Sequence, residues 1–374
     1  MFDIQSKYLK LNPPHGSPSK RSLVAVTIYD MAREAKVGIG TVSRVFNNHP
    51  SVSEETRKRV LNVAARLNYH PHPYARGLAR KRTNAFLAVI PFFTTFFFVE
   101  ILHGVQTALA DGETDLLLHG VAHPDHAEQS LRRVSTRGRF DGILFFSMRI
   151  PEEFVREVMQ LKVPLVLVDA YHPSFDSFAV DNVEGARRAT LHLHHLGHRR
   201  IGMLAANLES LPARERLKGY KLALKESDLD FDESLVLASA SPYLDGFTRD
   251  TGYELMRKFI LLGDRRPTAI FVSSDVQAAG ALTAIHEAGL RCPDDVAIIG
   301  FDDIELAGHI GLSTMRQPLT EMGRLAVHRL NDRIATPDLP IIQHTFVPEL
   351  VIRASTTDAE GATARVLATE WTEH

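Results

Sequence analysis

The chain has 374 residues, 44% hydrophobic and 24% charged, enough to bury ordinary cores and to make two or three domains. Its single cysteine, Cys292, excludes an intrachain disulfide and fits a reducing cytosol. The net charge of −2 hides an asymmetry: residues 1–84 carry 15 Lys and Arg against 5 Asp and Glu, a balance of +10, and the rest stands at −12, the layout of a nucleic-acid-binding head on an acidic globular body.

Residues 1–25 contain lysines but no apolar run, so they read as a disordered basic lead-in and not as a signal peptide. From Thr27 the pattern changes. Thr27 with Asp30 three residues on is a capping-box pair that starts a helix. Ile28, Met31, Ala32 and Ala35 then share one face. After a glycine-bearing turn, Val37, Val42, Val45 and Phe46 supply a matching apolar face, as in a two-helix DNA-binding unit. Left outward on the second helix are Gly40, Thr41, Ser43, Arg44 and Asn47, with no acid among them. Short side chains let a helix enter the major groove. Arg44 matches guanine O6 and N7, and Thr41, Ser43 and Asn47 suit phosphate oxygens. An ordinary helical hairpin is the bland alternative.

Ser53 caps a third helix, with Val60, Leu61, Ala64 and Leu67 expected to face inward. Pro71 and Pro73 then break the helix, and Tyr74 to Arg80 is a short segment able to fold on contact with a partner. Arg76, Arg80, Lys81 and Arg82 suit phosphates, and Leu78 is a candidate wedge between base pairs in the minor groove. A solvated basic linker is the alternative there.

Ala85 to Leu102 is apolar, but Pro91, Thr94 and Thr95 interrupt it and Glu100 ends it, short of the roughly 20 residues a membrane span needs. It reads as strand, aromatic loop and helix. Beyond it, apolar runs alternate with amphipathic helical stretches. The runs are Phe86 to Ile90, Leu116 to Leu118, Ile143 to Phe146, Leu165 to Val168, Ile201 to Leu204, Ala269 to Val272 and Val296 to Ile299. This alternation predicts two α/β subdomains with parallel sheets, whose ligands sit at the strands' carboxyl ends. Asp169, Asp181, Asn182, Ser273, Ser274, Asp275, Asp302 and Asp303 follow such runs, and Arg214 and Arg216 lie where a helix begins. Phe92, Phe93, Phe97 and Phe98 are core residues or ligand platforms. The histidines of LHLHHLGH lack cysteine or carboxylate partners at ligand spacing, so no metal is expected. No nucleophile–base pattern stands out. Gly38-Ile39-Gly40 follows no strand and is not a dinucleotide fingerprint.

Taken in order, TIYDMAREAKVGIGTVSRVFNN, VSEETRKRV, LNYHPHPYARGLARKRTN, VDN, LGHRRIGML, ARERLKGY, VAIIGFDD, LSTMRQPLTEMGRLAV and PELVIRAST resemble the lactose-repressor (LacI/GalR) family of bacterial transcription regulators, from about Val26 to Thr356. The resemblance implies an all-α helix-turn-helix head with a hinge helix. It also implies an α/β core like periplasmic binding proteins, of two doubly wound parallel-sheet subdomains. The expected map is a lead-in at 1–25, the DNA-binding domain at 26–70, the hinge and linker at 71–84, the core at 85–356 and a tail at 357–374. The first subdomain should comprise about 85–181 and 317–342, the second about 182–316 and 343–356.

The resemblance further implies a cytoplasmic, non-enzymatic repressor without a cofactor, binding near-palindromic operator DNA as a homodimer, with a tetramer possible. A small-molecule effector, expected to be a carbohydrate, would bind in the cleft. The implied DNA contacts are Thr27, Tyr29, Gly40, Thr41, Ser43, Arg44, Asn47, Tyr69, Ala75, Arg76 and Leu78. The implied effector contacts are Phe92, Phe93, Phe97, Asp169, Arg216, Ser274 and Asp302. Departures from the family pattern also carry expectations. Gly38 replaces a capping serine, Ser274 stands where many relatives have asparagine, and PFFTTFFF should make one cleft wall less polar. Ile39 and Gly40 occupy variable base-reading positions and should take little sequence information. Arg216 with Asp302 is either a fork gripping hydroxyls or an interdomain salt bridge. A transporter's solute-binding protein would share the core but lack the basic head. A sugar-modifying enzyme would need an acid–base pair or a metal.

Overall fold

The computed structural model describes residues 26–47, 49–69, 83–121, 129, 132, 140–150, 152–160 and 163–357. The expected hinge residues Ala75, Arg76 and Leu78, the lead-in, and the tail beyond Thr357 lie outside them. The chain divides into two units, 1–83 and 84–374.

In the first unit three helices, α1 (Ile28–Ala35), α2 (Ile39–Phe46) and α3 (Glu54–Leu67), enclose a small core of Met31, Ala32, Ala35, Val42, Val45, Val60, Val63 and Ala64. Thr27 and Asp30 form the reciprocal cap, with Thr27 N–H donating to Asp30 Oδ2 at 3.0 Å and Asp30 N–H to Thr27 Oγ1 at 3.4 Å. The turn between α1 and α2 takes its left-handed residue from Lys36, at φ 53°, and Gly38 is extended at φ −70°. Ser53 caps α3 by accepting from Thr56 N–H. Arg57 of α3 donates to Val45 O at 3.2 Å and His49 O at 3.1 Å, satisfying carbonyls at and beyond the end of α2. One expectation fails: Leu61 is 45% exposed and Val63 takes the inward place. With Val60 and Ala64 on the buried face, position 61 is turned about 100° away.

In the second unit the order is β1 (Ala85–Pro91), α4 (Phe96–Leu109), β2 (Asp115–Val121), β3 (Gly142–Phe146), α5 (Glu152–Gln160), β4 (Leu165–Val168), β5 (Asp176–Val180), α6 (Asn182–His195), β6 (Ile201–Ala205), α7 (Leu211–Glu226), β7 (Val236–Ala238), α8 (Arg249–Ile260), β8 (Ala269–Val272), α9 (Asp275–Glu287), β9 (Ala297–Asp302), α10 (Glu305–His309), β10 (Ser313–Arg316), α11 (Leu319–Ala335), β11 (Gln343–Phe346) and β12 (Glu349–Val351). Two six-stranded sheets result, ordered β11-β5-β4-β3-β1-β2 and β12-β10-β9-β8-β6-β7. All neighbouring pairs are parallel except β10 with β12. The central strands are buried on both faces, as helical crossovers require.

The chain passes from the first sheet to the second after β5, back after β10, and over again after β11. Because Gln343–Phe346 pairs with β5, that last crossing falls after Phe346 and not at 342–343. The buried carboxylate of Asp176 anchors this corner. It meets Arg329 at 2.9 Å and Arg333 at 2.8 Å and accepts from Ile342 N–H at 2.9 Å, holding α11 to the sheet.

The covering helices pack in pairs at glycines. A Cβ on Gly104 of α4 would lie 1.8 Å from Thr320 O, and one on Gly323 of α11 would lie 2.2 Å from Ile101 O. In the second half, Gly252 of α8 and Gly280 of α9 face the backbone of Gln277 and Arg249 in the same way, each at 1.9 Å. No side chain fits between these backbones. Gly280→Ala should therefore destabilise the protein by roughly 1–3 kcal/mol, read as a lower denaturant midpoint; an unchanged midpoint would mean that α8 and α9 separate freely.

Candidate nucleic-acid interface and ligand cleft

On α2 the outward set is intact. Arg44 and Gly40 are exposed, Thr41, Ser43 and Asn47 are half-buried, and Asn47 Nδ2 donates to Ser43 Oγ at 3.4 Å. Arg44 has no ion pair among the described residues, so its five donors stay available. Thr27 and Tyr29 are exposed at the start of α1, with Tyr29 at 65%. Tyr69 is different: its ring packs on Phe46 at 5.8 Å, so it also belongs to the core of the head.

In the larger unit, strand exits converge as the parallel topology demands. Three adjacent strands of the first sheet, β1, β3 and β4, each end in a non-glycine residue with positive φ: Phe92 at 48°, Ser147 at 46° and Asp169 at 53°. At the end of β9, Asp302 and Asp303 sit at 122° and 58°. Backbone held this way is costly and tends to cluster at functional sites.

Arg216, from α7, is buried and lies across the Phe301 ring at 3.8 Å. Its Nε donates to Asn182 Oδ1 at 2.9 Å, and one Nη donates to Ser273 O. Asp302 Oδ1 lies 3.7 Å from the guanidinium and accepts from Gln317 Nε2 at 2.6 Å. Both partners of this loose pair belong to the second sheet and its helices, so it is not an interdomain salt bridge. Asp169 comes from the first sheet and is held by Ser147 Oγ at 2.6 Å.

Burial raises the Asp302 pKa to about 7, against the pull of Arg216 and Gln317, and Asp169 adds repulsion. Burial also raises Asp169 to about 6, with Ser147 and Arg216 opposing it and Glu215 adding to it. Asp275 is pushed up by burial and by Asp302, although Thr314 Oγ1 at 2.6 Å and Ile304 N–H at 3.0 Å donate to it.

Of the remaining expected contacts, Ser274 is buried and spends its hydroxyl on the N-terminus of α9, accepting from Gln277 N–H at 3.3 Å. Phe92 and Phe97 pack on the apolar cluster that also holds Ile304, Leu306 and Val276 of the second half. Phe93 is 43% exposed and lies over the edge strand, where a Cβ on Gly120 would meet its ring at 2.9 Å. The sequence reading missed Ser147, Glu215 and Gln317. Ser273 Oγ, Gln277 Nε2 and Gln317 Oε1 are buried without a partner among the described residues, which suits a bound ligand or water. His192 is buried and bonded to Thr356 Oγ1 at 3.1 Å, a structural role.

The carboxylates give a stability signature. Asp302 titrates near 3.8 when unfolded and about 7 when folded, so between these values the folded protein holds the extra proton. Its stabilisation is complete at low pH and is lost as pH rises toward about 7. Asp302→Asn keeps a hydrogen-bonding side chain without the charge. Between pH of about 5 and about 7, wild type should lose stability relative to this variant by on the order of 1 kcal/mol per pH unit. Denaturant midpoints across that range would show it, and a constant difference would mean that Asp302 is already ionised.

Comparison with known proteins agrees with both units. The model described as "Bacterial regulatory proteins, lacI family" matches residues 27–72, and that described as "Periplasmic binding protein-like domain" matches 190–356. Catabolite control protein A of Priestia megaterium is 34% identical over 325 residues, 85% of this chain and 96% of that protein. The Lac repressor dimer bound to operator and the anti-inducer ONPF aligns with a TM-score of 0.75 at 25% identity, over 88% of this chain and 99% of that one. The complex of the transcriptional regulator CelR with cellobiose aligns with a TM-score of 0.63 at 28% identity, again over 88% and 99%. With such identity sustained along nearly the whole of a relative, the chain belongs to the lacI family of bacterial regulatory proteins.

Proposed function

We propose that the protein is a transcriptional repressor that binds a near-palindromic operator as a homodimer, with α2 in the major groove and the Tyr74 to Arg80 segment in the minor groove. A small neutral polyhydroxylated metabolite in the cleft, a carbohydrate or a close relative, controls its occupancy. The observation that carries the first part is the outward face of α2, where Arg44 makes no ion pair among the described residues and stands among short polar side chains. The operator-bound Lac repressor dimer and the cellobiose complex of CelR support the partners by analogy.

The cleft chemistry favours hydroxyls. Arg216 supplies donors from a stacked, immobile guanidinium, and Asp169 and Asp302 supply acceptors from opposite halves. Four acidic groups, Asp169, Asp275, Asp302 and Glu215, act on one arginine, and burial already raises three of them. A phosphorylated ligand would add charge of the disfavoured sign, so neutral or cationic ligands are preferred. Ligand bridging the two halves would change how they meet, and the segment joining the core to the head carries that change to the DNA. Either sign of response uses the same parts. Such a protein works in the bacterial cytoplasm, on the nucleoid when bound. A transporter's solute-binding protein would leave the basic head without a role.

Selection of genomic fragments on the full-length protein, with and without a panel of sugars, nucleosides and polar metabolites, tests this reading. No fragment retained above background under either condition would overturn it. On the selected site, Arg44→Ala should cost about 1–3 kcal/mol and leave random-DNA binding nearly unchanged. Equal losses on both would make Arg44 a phosphate contact. Arg216→Ala should abolish the metabolite response with operator binding intact, and an intact response would place the ligand elsewhere.

A further inference from the structure

The head exposes an aliphatic side chain where a groove-binding helix must read bases. Ile39 is the first residue of α2 and is 39% exposed. Glycines flank it, and the fold requires neither. Gly38 has φ −70°, Gly40 is helical, and a Cβ on either would meet nothing within 4 Å among the described residues. An N-cap tolerates glycine, which accounts for Gly38. Gly40 has no such account, because glycine inside a helix weakens it relative to alanine. The core glycines behave in the opposite way: at Gly104, Gly252, Gly280 and Gly323 a Cβ would strike facing backbone. What the missing Cβ at Gly40 makes room for is therefore outside the head itself.

In a helix-turn-helix unit the N-terminal residues of the second helix meet the base edges. Those edges carry donors and acceptors, and one apolar group, the C5-methyl of thymine. Ile39 can neither donate nor accept, so that methyl is the feature it can recognise. Close approach of the helix is needed for the contact, and absence of a Cβ at position 40 permits it.

We propose that Ile39 reads a thymine methyl in each operator half-site and that Gly40 allows the helix backbone near enough for it to do so. This rests on the assignment of α2 as the groove-binding helix. It assigns sequence information to a position that hydrogen-bond matching alone would call silent.

The test uses the full-length protein and the half-site obtained by selecting it on a random duplex pool. Each thymine is replaced in turn by deoxyuridine, which removes only the methyl. At one thymine per half-site the wild type should lose about fourfold in affinity, the value of one buried methyl. Ile39→Ala should bind the thymine and uracil forms of that position equally, with an unchanged salt slope because no phosphate contact is lost. Gly40→Ala should weaken operator binding although the free protein melts at the same or a higher temperature. The inference is overturned if no thymine methyl matters more to wild type than to Ile39→Ala, and its second half falls if Gly40→Ala binds normally. A pool that yields no enriched sequence would instead remove the DNA-binding assignment itself.

Discussion

A carboxylate taken out of water must find compensating partners, and the core of this protein withdraws three of them around one guanidinium. Asp302, Asp275 and Asp169 all have raised pKa values, with burial the first cause, although each accepts hydrogen bonds. Arg216 is too heavily committed to neutral acceptors, Asn182 and Ser273 O, to close on Asp302 within hydrogen-bonding distance. The protein's own side chains therefore leave these charges incompletely compensated. A ligand with hydroxyl groups can donate to the acids and accept from the arginine at once, so its binding energy comes partly from a cost that the fold already carries.

The head solves a different problem, in which the surface must remain uncommitted. Its core is small, and its order depends on local devices: the Thr27–Asp30 cap, the Ser53 cap and Arg57 at the end of α2. The two caps start α1 and α3, Arg57 ties α3 to the end of α2, and the outer face of α2 keeps Gly40 and Arg44 exposed. Some charged side chains elsewhere in the head do pair, Arg33 with Asp30 and Arg66 with Glu34.

Much of this was legible in the sequence, for identifiable reasons. Strands β1, β3, β4, β6, β8 and β9 announce themselves because burial on both faces makes them apolar throughout. Strands β10 and β11 do not, since Ser313–Arg316 is mostly polar and Gln343–Phe346 is an exposed edge. The same edge displaced the expected subdomain boundary. In the cleft, Asp169, Asp302 and Ser274 could be named because they follow apolar runs, and Arg216 because a family pattern covers it. Ser147 and Gln317 could not, since each acts by holding an aspartate 22 or 15 residues away, across strands whose register no local pattern reveals. Leu61 was misplaced because an amphipathic face of valines and alanines tolerates either neighbour on paper, and only the helix geometry decides.

The chain changes sheets three times, after β5, β10 and β11, and two of those exits lie side by side, where Asp181 N–H donates to Phe346 O at 2.8 Å. A pair of lobes joined by a single strand can swing, twist and slide. Lobes joined by three cannot slide without stretching at least one tether, so rotation about the tether bundle is the low-energy motion left to them. It also follows that a protease nicking any one tether would leave the lobes joined by the other two.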